Sequence, residues 1–195
     1  MVRPAMLAAA IAATAVLTAC SLSPGATGEA PAEGSPTEAV RQTFGLTITL
    51  PQGMDKWKAG HDFIWLSDDG NAAMSNICIY ALPGLSADSS LVATRRDSVM
   101  QRNIPGQADG MYMHTEAAVR LVHRSMNFRG RRLLRSEGLW EMEGDAMGGP
   151  FVCHTWVDTA AGRTLVAEAF VYAPGQDKAP LMKRLEAALL TIRQQ

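Results

Sequence analysis

Short segments rich in β-branched and aromatic residues, separated by turn residues, dominate the chain from residue 44 onward. Residues 44–50 alternate apolar with polar side chains and stop at Pro51, which is typical of a half-buried strand. Two other stretches instead have apolar residues at helical spacing. The order of strands, helix, strands and helix predicts an α+β fold with a mainly antiparallel sheet and two principal helices. Further strands are predicted near residues 63–66, 77–82, 118–124, 131–142, 151–158 and 164–172.

The two helical segments have recognisable ends. The first can begin at a cap on Ser86 or Asp88, and it stops before Pro105 because proline disfavours helical geometry in the preceding residue. The second has Asp177 as its predicted cap and Pro180 in its first turn, and its apolar residues continue at helical spacing to residue 192. The order of elements also resembles that of the PsbP family of extrinsic photosystem proteins, which implies an α-β-α sandwich.

The first twenty residues have the pattern of an export signal. Arg3 and the amino terminus supply positive charge, and the apolar run that follows is, at about fifteen residues, too short to span a ~30 Å hydrocarbon core. Residues 17–20, Leu-Thr-Ala-Cys, resemble the lipobox of bacterial lipoprotein signal peptides. This resemblance implies cleavage in front of Cys20 and acylation of its thiol. An ordinary secretory signal is the alternative interpretation.

The signal divides the chain into a predicted signal peptide at residues 1–19, a lipidated Cys20 with a flexible tether over residues 20–43, and one domain at residues 44–195. Residues 21–43 are mainly Ser, Pro, Gly, Ala, Thr and Glu, so they bury too little apolar surface to offset the entropy of ordering. Ser21 follows Cys20 without an adjacent acidic cluster. We therefore predict an outer-membrane lipoprotein that faces the periplasm.

The charge balance argues against nucleic acid as a partner. The chain has 18 Lys and Arg against 19 Asp and Glu, whereas phosphate neutralisation requires an excess of basic residues. Its hydrophobic fraction of 47% is sufficient for a packed core. We therefore predict a folded, exported domain that does not bind nucleic acid.

Several segments, in the same order, carry a family resemblance. The segments are Arg96-Asp-Ser-Val-Met-Gln-Arg-Asn-Ile-Pro-Gly106, residues 138–152, residues 168–174 and residues 185–189. Together they resemble the Bacteroidota lipoprotein family known as domain of unknown function 4837, and the resemblance extends from about residue 44 to the end of the chain. It implies a lipid-anchored envelope protein, and it implies no catalytic residue because the family has no established activity.

The chain lacks the common catalytic and cofactor motifs. It has no phosphate loop, dinucleotide glycine fingerprint, His-Glu-x-x-His or Cys-x-x-Cys, so we predict no cofactor and no bound metal. The alternative to a binding module is a small envelope hydrolase or thiol enzyme, which would need a cleft holding His154, Asp158 and a hydroxyl or thiol. Cys78 and Cys153 lie in predicted strands, where they can be either two buried thiols or a cross-strand disulfide.

Two features are candidates for interaction with a partner. One is a turn-rich surface made by residues 144–150 and residues 103–106, with Trp140, Asp145, Met147, Phe151 and Asn103 as its predicted contacts. The other is a run of arginines that can meet an anionic glycan or lipid headgroup, or simply form a solvated strand face beside Glu137, Glu141 and Glu143. We predict a binding or scaffolding module for an envelope protein or glycan. The arginines are Arg120, Arg124, Arg129, Arg131, Arg132 and Arg135.

Overall fold

The computed structural model describes residues 34–68, 70 and 72–195, and these residues form three helices and ten strands. The predicted signal peptide and Cys20 lie outside the described residues. The helices are α1 Pro36–Phe44, α2 Ser89–Asn103 and α3 Ala179–Leu189. The strands are β1 Leu46–Thr47, β2 Lys56–Gly60, β3 Phe63–Ser67, β4 Met74–Pro83, β5 Met113–Thr115, β6 Val122–Phe128, β7 Arg131–Met142, β8 Gly148–Asp158, β9 Arg163–Tyr172 and β10 Arg193–Gln194.

Eight of these strands form one sheet in which every pairing is antiparallel. The order is β2-β3-β4-β9-β8-β7, and the outer edge of β7 pairs with β6 along residues 131–137 and with β5 along residues 140–142. The central ladder joins β4 to β9. A separate two-stranded sheet pairs β1 with β10. The predicted α+β fold with a mainly antiparallel sheet is confirmed.

Alternating side chains give the large sheet two buried faces, and each face is covered by helices. On one face, α1 and α3 pack against apolar residues such as Ile64, Ile79 and Leu165. On the other face, α2 packs against residues that include Tyr80 and Val166. We refer to these as the α1/α3 face and the α2 face. The layers are therefore helices, sheet and helix, in the predicted α-β-α order.

Helix α1 corrects the predicted tether, which extended to residue 43. Ser35 caps the helix by accepting a hydrogen bond from the Glu38 backbone at 3.2 Å, and Gly45 ends it in the left-handed conformation with φ of 67°. Val40 and Phe44 are buried against the sheet. Composition suggested disorder because residues 21–43 contain few apolar side chains, but two well-placed ones and good caps are sufficient for a helix supported by tertiary packing.

Most other predicted boundaries are close to the observed ones, but the strand predicted near residues 118–124 is displaced to β6, Val122–Phe128. Asp88 caps α2 by accepting from the Leu91 backbone at 3.0 Å, and the helix ends just before Pro105. Asp177 lies one position before the N-cap of α3 and accepts from the Ala179 backbone at 3.0 Å. The strand predicted at residues 44–50 is reduced to β1, which lies outside the large sheet. None of the described helices is long and apolar enough to cross a membrane.

Candidate functional site: a methionine-lined pocket

A cavity of about 130 Å³ opens on the α2 face, beside the carboxyl end of α2. Its walls come from β3, β4, β7, β9 and the segments that follow α2 and β7. Thioethers and aromatic rings dominate the lining. The methionines are Met74, Met111, Met113, Met142 and Met147, and the aromatic residues are Trp65, Trp140, Phe170 and Tyr172.

One wall is a tight turn after α2. The Gly106 backbone donates to the Met111 carbonyl at 2.9 Å, and Pro105 pairs with Tyr112 in an isolated β-bridge. A Cβ at Gly106 would lie 2.2 Å from the Met111 Cβ, so the two backbones can approach this closely only because residue 106 is glycine. This turn directs the chain back into β5 and brings Met111 and Met113 to the cavity.

The facing wall is the turn between β7 and β8. Gly144 has φ of 81°, and the Met142 backbone donates to the Met147 carbonyl at 2.9 Å, which closes the hairpin. The Trp140 indole donates to the Val171 carbonyl at 3.2 Å and packs edge-to-face on Phe170, with ring centroids 5.5 Å apart. The indole is therefore held in a fixed orientation by both a hydrogen bond and a ring contact.

The predicted interaction surface agrees in part with this pocket. Trp140, Asp145 and Met147 line it, together with residues 104–106. Phe151 does not, because its ring lies beneath the Arg96 guanidinium, 3.8 Å from the centroid. Asn103 also turns away, since its side-chain amide donates to the Val99 carbonyl at 2.8 Å.

Most of the residues that line the pocket were not among those predicted from the sequence. Met74, Met111, Met113 and Met142 come from separate parts of the chain and converge only through the sheet order. The available signal was the total of 11 methionines, five of which line this one cavity. Methionine is flexible and polarisable, so it is well suited to contacts with apolar groups of varied shape.

The chemistry of the pocket is that of apolar binding. Asp145 is the one carboxylate among the lining residues, and the Asn76 amide oxygen is already occupied by the Trp65 indole at 2.9 Å. No nucleophile and base face each other among these side chains. A dry cavity of about 150 Å³ holds a benzene molecule, so the space here matches a single aromatic ring or a branched aliphatic side chain.

A buried ion pair lies elsewhere beneath α2. Arg96 donates to Glu168 through Nε at 3.1 Å and through Nη2 at 2.7 Å, and both residues are fully buried. The Cys153 thiol also donates to Glu168, at 3.1 Å, and the Tyr80 hydroxyl lies 3.5 Å from the same carboxylate. The cluster is inaccessible to solvent, so it connects α2 to the sheet and does not form an open site.

Of the two alternatives for Cys78 and Cys153, the structure has the two buried thiols and not the cross-strand disulfide. Cys78 on β4 pairs with Glu168 on β9, and Glu168 pairs in turn with Cys153 on β8, so a whole strand separates the two thiols. Cα atoms two strands apart are about 9–10 Å from each other, beyond the ~7 Å limit for a disulfide. Both cysteines are free and buried.

These thiols give a direct chemical test. Burial, followed by the charge of Glu168, raises the pKa of both Cys78 and Cys153 well above the ordinary thiol value. We expect alkylation under native conditions to leave both unmodified and alkylation under denaturing, non-reducing conditions to modify both. Mass spectrometry of the alkylated protein measures both outcomes. If neither thiol were modified in the denatured protein, the two cysteines would be joined by a disulfide.

The cleft required by the alternative enzyme hypothesis is not assembled within the described residues. His154 Nε2 is hydrogen-bonded to Glu186 at 3.1 Å, and Asp158 binds Arg163 and Gln194. The hydrogen bond from His154 and those from Arg135 lower the pKa of Glu186 to about 2. Across residues 34–68, 70 and 72–195, no three His, Cys, Asp or Glu side chains meet as metal ligands.

The six arginines do not form one anion site. Arg131 lies over the Trp156 ring at 4.4 Å, and Arg129 lies over Phe128 at 4.7 Å. Arg135 donates to Glu137 at 2.5 Å and to Glu186 at 2.6 Å, so part of the predicted acidic pairing exists. Arg132 follows Arg131 on β7 and therefore faces the opposite side of the sheet. Arg120 and Arg124 have no ion-pair partner among the described residues, so anion binding at these two arginines stays a prediction.

Comparisons with known proteins give one family, and several solved structures have a similar shape. A family model described as "Domain of unknown function (DUF4837)" matches residues 33–191. A mutant of the protein Mog1 is similar with a TM-score of 0.48 and 9% identity, over 77% of this chain and 90% of that chain. The human StarD13 (DLC2) lipid transfer and protein localization domain is similar with a TM-score of 0.33 and 10% identity, over 79% of this chain and 91% of that one. No curated protein matches the chain.

Proposed function

The chain belongs to the DUF4837 family of domains of unknown function, and from that premise we propose that it is a lipid-anchored protein of the cell envelope that binds an apolar side chain of a partner protein in the methionine-lined pocket. The anchor rests on the lipobox-like residues 17–20, and the outer-membrane location facing the periplasm rests on the residues after Cys20. The binding activity rests on the pocket. One observation carries it: five methionines and four aromatic residues from separate segments line one cavity.

The size and polarity of the cavity define the kind of ligand. Sites for drug-sized molecules usually enclose about 300–1,000 Å³, whereas this cavity is about 130 Å³. A glycan would require several hydrogen-bonding groups, but methionine and aromatic residues dominate the lining, and Asn76 and Asp145 each already accept a hydrogen bond. Gln107 and the Tyr172 hydroxyl are the other polar groups of the lining. An aromatic or branched aliphatic side chain on the surface of a protein satisfies both limits, and such side chains are common anchors at interfaces.

The proposal can be tested with indole as a probe of the size of one aromatic side chain. We expect a titration of protein labelled at the methionine methyl carbons to shift the resonances of Met113, Met142 and Met147 saturably, with Met54 unchanged because it lies in the core of the α1/α3 face. Met147→Glu places a charge in the cavity and should weaken indole binding at least about tenfold, or 1.4 kcal/mol.

Met126→Glu is the matched control, because it introduces the same charge at an exposed methionine on β6, outside the pocket. It should leave indole binding unchanged, and both variants should keep the melting temperature within a few degrees since neither side chain is fully buried. Equal small shifts at all methionines, or unchanged binding in Met147→Glu, would remove the pocket as a recognition site. Soft thioethers also favour Cu(I), so tight Cu(I) binding without indole binding would contradict the proposal as well.

A further inference from the structure

The α1/α3 face is incompletely covered by helices. On this face α1 packs against β2 and β3, and α3 packs against β4, β8 and β9, whereas no described helix packs over β6. Packed helices lie about 8–10 Å apart and neighbouring strands about 4.8 Å apart. The strip formed by β7 and β6 is thus about 10 Å wide, which is the width of one helix.

The exposed side chains on this strip are apolar. Four of the five large apolar side chains that the described residues expose lie here or on the segment leading into β6, with 37–43% of each accessible. They are Val119, Val122, Met126 and Leu139. Val122 pairs with Glu137 in the β6–β7 ladder, and Leu139 is two residues further along β7, so both point to the α1/α3 face. A concentration of apolar surface of this kind marks an interaction site more often than scattered single residues do.

A groove of about 710 Å³ runs between this strip and α3. Its α3 wall extends from Ala179 to Leu190, which is about 17 Å or three helical turns. Met182 and Leu190 form the apolar part of that wall, whereas the core-facing residues of α3, such as Leu185, are fully buried. The groove is an open channel along a helix, with dimensions that suit a second helix lying beside it.

The charges around the groove are unbalanced. Glu137 and Glu186 both face it, but Arg135 pairs with each of them, and His154 also bonds to Glu186. Arg120 and Lys183 line the groove without an ion-pair partner among the described residues. Arg124, which lies opposite Arg135 on the neighbouring strand, also has no ion-pair partner there. The free charge at the rim is therefore positive.

We propose that this groove binds an acidic amphipathic helix of about three turns from a partner protein. Its apolar side would cover Val122 and Leu139, and its acidic side would meet Arg120, Arg124 and Lys183. Helices bind apolar grooves in this way through residues spaced three and four apart. An anionic lipid shares the charge pattern, but the open channel has the width of a helix and does not enclose an acyl chain.

The test begins with the full chain in its own cells. A photocrosslinking amino acid at Leu139 should capture a protein peptide, and the same amino acid at Leu85, an exposed leucine away from the groove, should not capture it. Mass spectrometry of the crosslinked peptide then gives its sequence. We expect an acidic segment with apolar residues at helical spacing. Crosslinks to lipid, to a second copy of this chain, to a basic or non-helical segment, or to nothing would each overturn the proposal.

The captured segment, made as a synthetic peptide, completes the test with purified full-length protein. We expect it to become helical on binding, to bind less tightly as salt rises, and to lose at least about tenfold in affinity with Leu139→Asp. Arg124→Glu provides a second variant at an exposed position on β6, and an unchanged melting temperature would exclude a folding defect as the cause of its weaker binding. Leu85→Asp is the matched control, and unchanged affinity in both groove variants would refute the site.

Peptide binding in the groove and indole binding in the methionine-lined pocket can be tested separately. Leu139 and Trp140 are consecutive on β7, so the groove and the pocket lie on opposite faces of the sheet. Met147→Glu should therefore bind the peptide normally, and Leu139→Asp should bind indole normally. If one variant lost both indole binding and peptide binding, the substitution would have disrupted the fold as a whole and not one site.

Discussion

Replacing Glu168 with alanine is expected to lower the free energy of unfolding by about 3–5 kcal/mol. The buried Arg96 guanidinium would lose its fully buried counter-charge and keep only the ion pair with Asp97, at 3.1 Å, whose side chain is partly exposed. Burial alone disfavours the charged guanidinium, yet the carboxylate of Glu168 raises the pKa of Arg96 above its ordinary value. The same substitution also removes the acceptor for the Cys153 thiol. Typical domains have about 5–15 kcal/mol of stability, so this single change is expected to remove a large part of it.

Urea unfolding followed by circular dichroism measures this effect. The double variant Arg96→Met with Glu168→Leu should recover most of the loss, since apolar residues of similar volume can replace a buried ion pair at little cost. Glu38→Ala is the matched control, because it removes an exposed carboxylate paired with Arg41 and should leave the free energy of unfolding nearly unchanged. A loss in Glu168→Ala as small as in the control would show that the buried pair contributes little.

Replacing Cys20 with alanine is expected to abolish membrane association completely. The proposed anchor is one lipidated thiol, and the described residues contain no helix able to span a membrane. Metabolic labelling with a fatty-acid analogue should mark the natural chain and leave Cys20→Ala unlabelled, and detergent phase partition should move the variant to the aqueous phase or leave an unprocessed precursor.

Cys78→Ala serves as the matched control for the anchor, because it removes a buried thiol of the domain and should keep the label. Protease treatment of intact cells should leave the protein uncut if it faces the periplasm. Fatty-acid label on the Cys20→Ala protein would contradict lipidation at this residue. Cleavage by external protease would contradict the periplasmic orientation alone.

Much of the fold was predictable because its signals are local. The Asp88 cap and Pro105 bound α2 in both the prediction and the structure. The nearly continuous apolar runs in β8 and β9 reflect strands that are buried on both faces at the centre of the sheet. Helix α1 was missed because its few apolar residues acquire their importance only by packing on the sheet. The weak intrinsic preference of this segment for a helix is compensated by its tertiary contacts with the sheet.

The pocket was only partly predictable, for a different physical reason. The turn chemistry around Gly144 identified one wall, and Trp140 and Met147 beside it do line the cavity. Met74 and Met113 belong to strands whose positions depend on the sheet order, which no local pattern specifies. The same limitation explains why the sequence left both a disulfide and two buried thiols open for Cys78 and Cys153, because the position of β9 between β4 and β8 determines the distance between the two cysteines.

The central β4–β9 ladder also affects how this chain acquires its structure. The residues that it pairs are between 80 and 98 positions apart in the sequence, whereas β2 with β3 and β6 with β7 are joined by short turns. Contacts this distant in sequence require a large loop to close before they stabilise anything, and proteins dominated by them fold over milliseconds to seconds. The local hairpins and α2 can form early, but β4 has no inner neighbour until residues 163–172 have been synthesised. A chain that stops before β9 therefore exposes the hydrogen-bonding edge of β4, which makes such a fragment prone to aggregation.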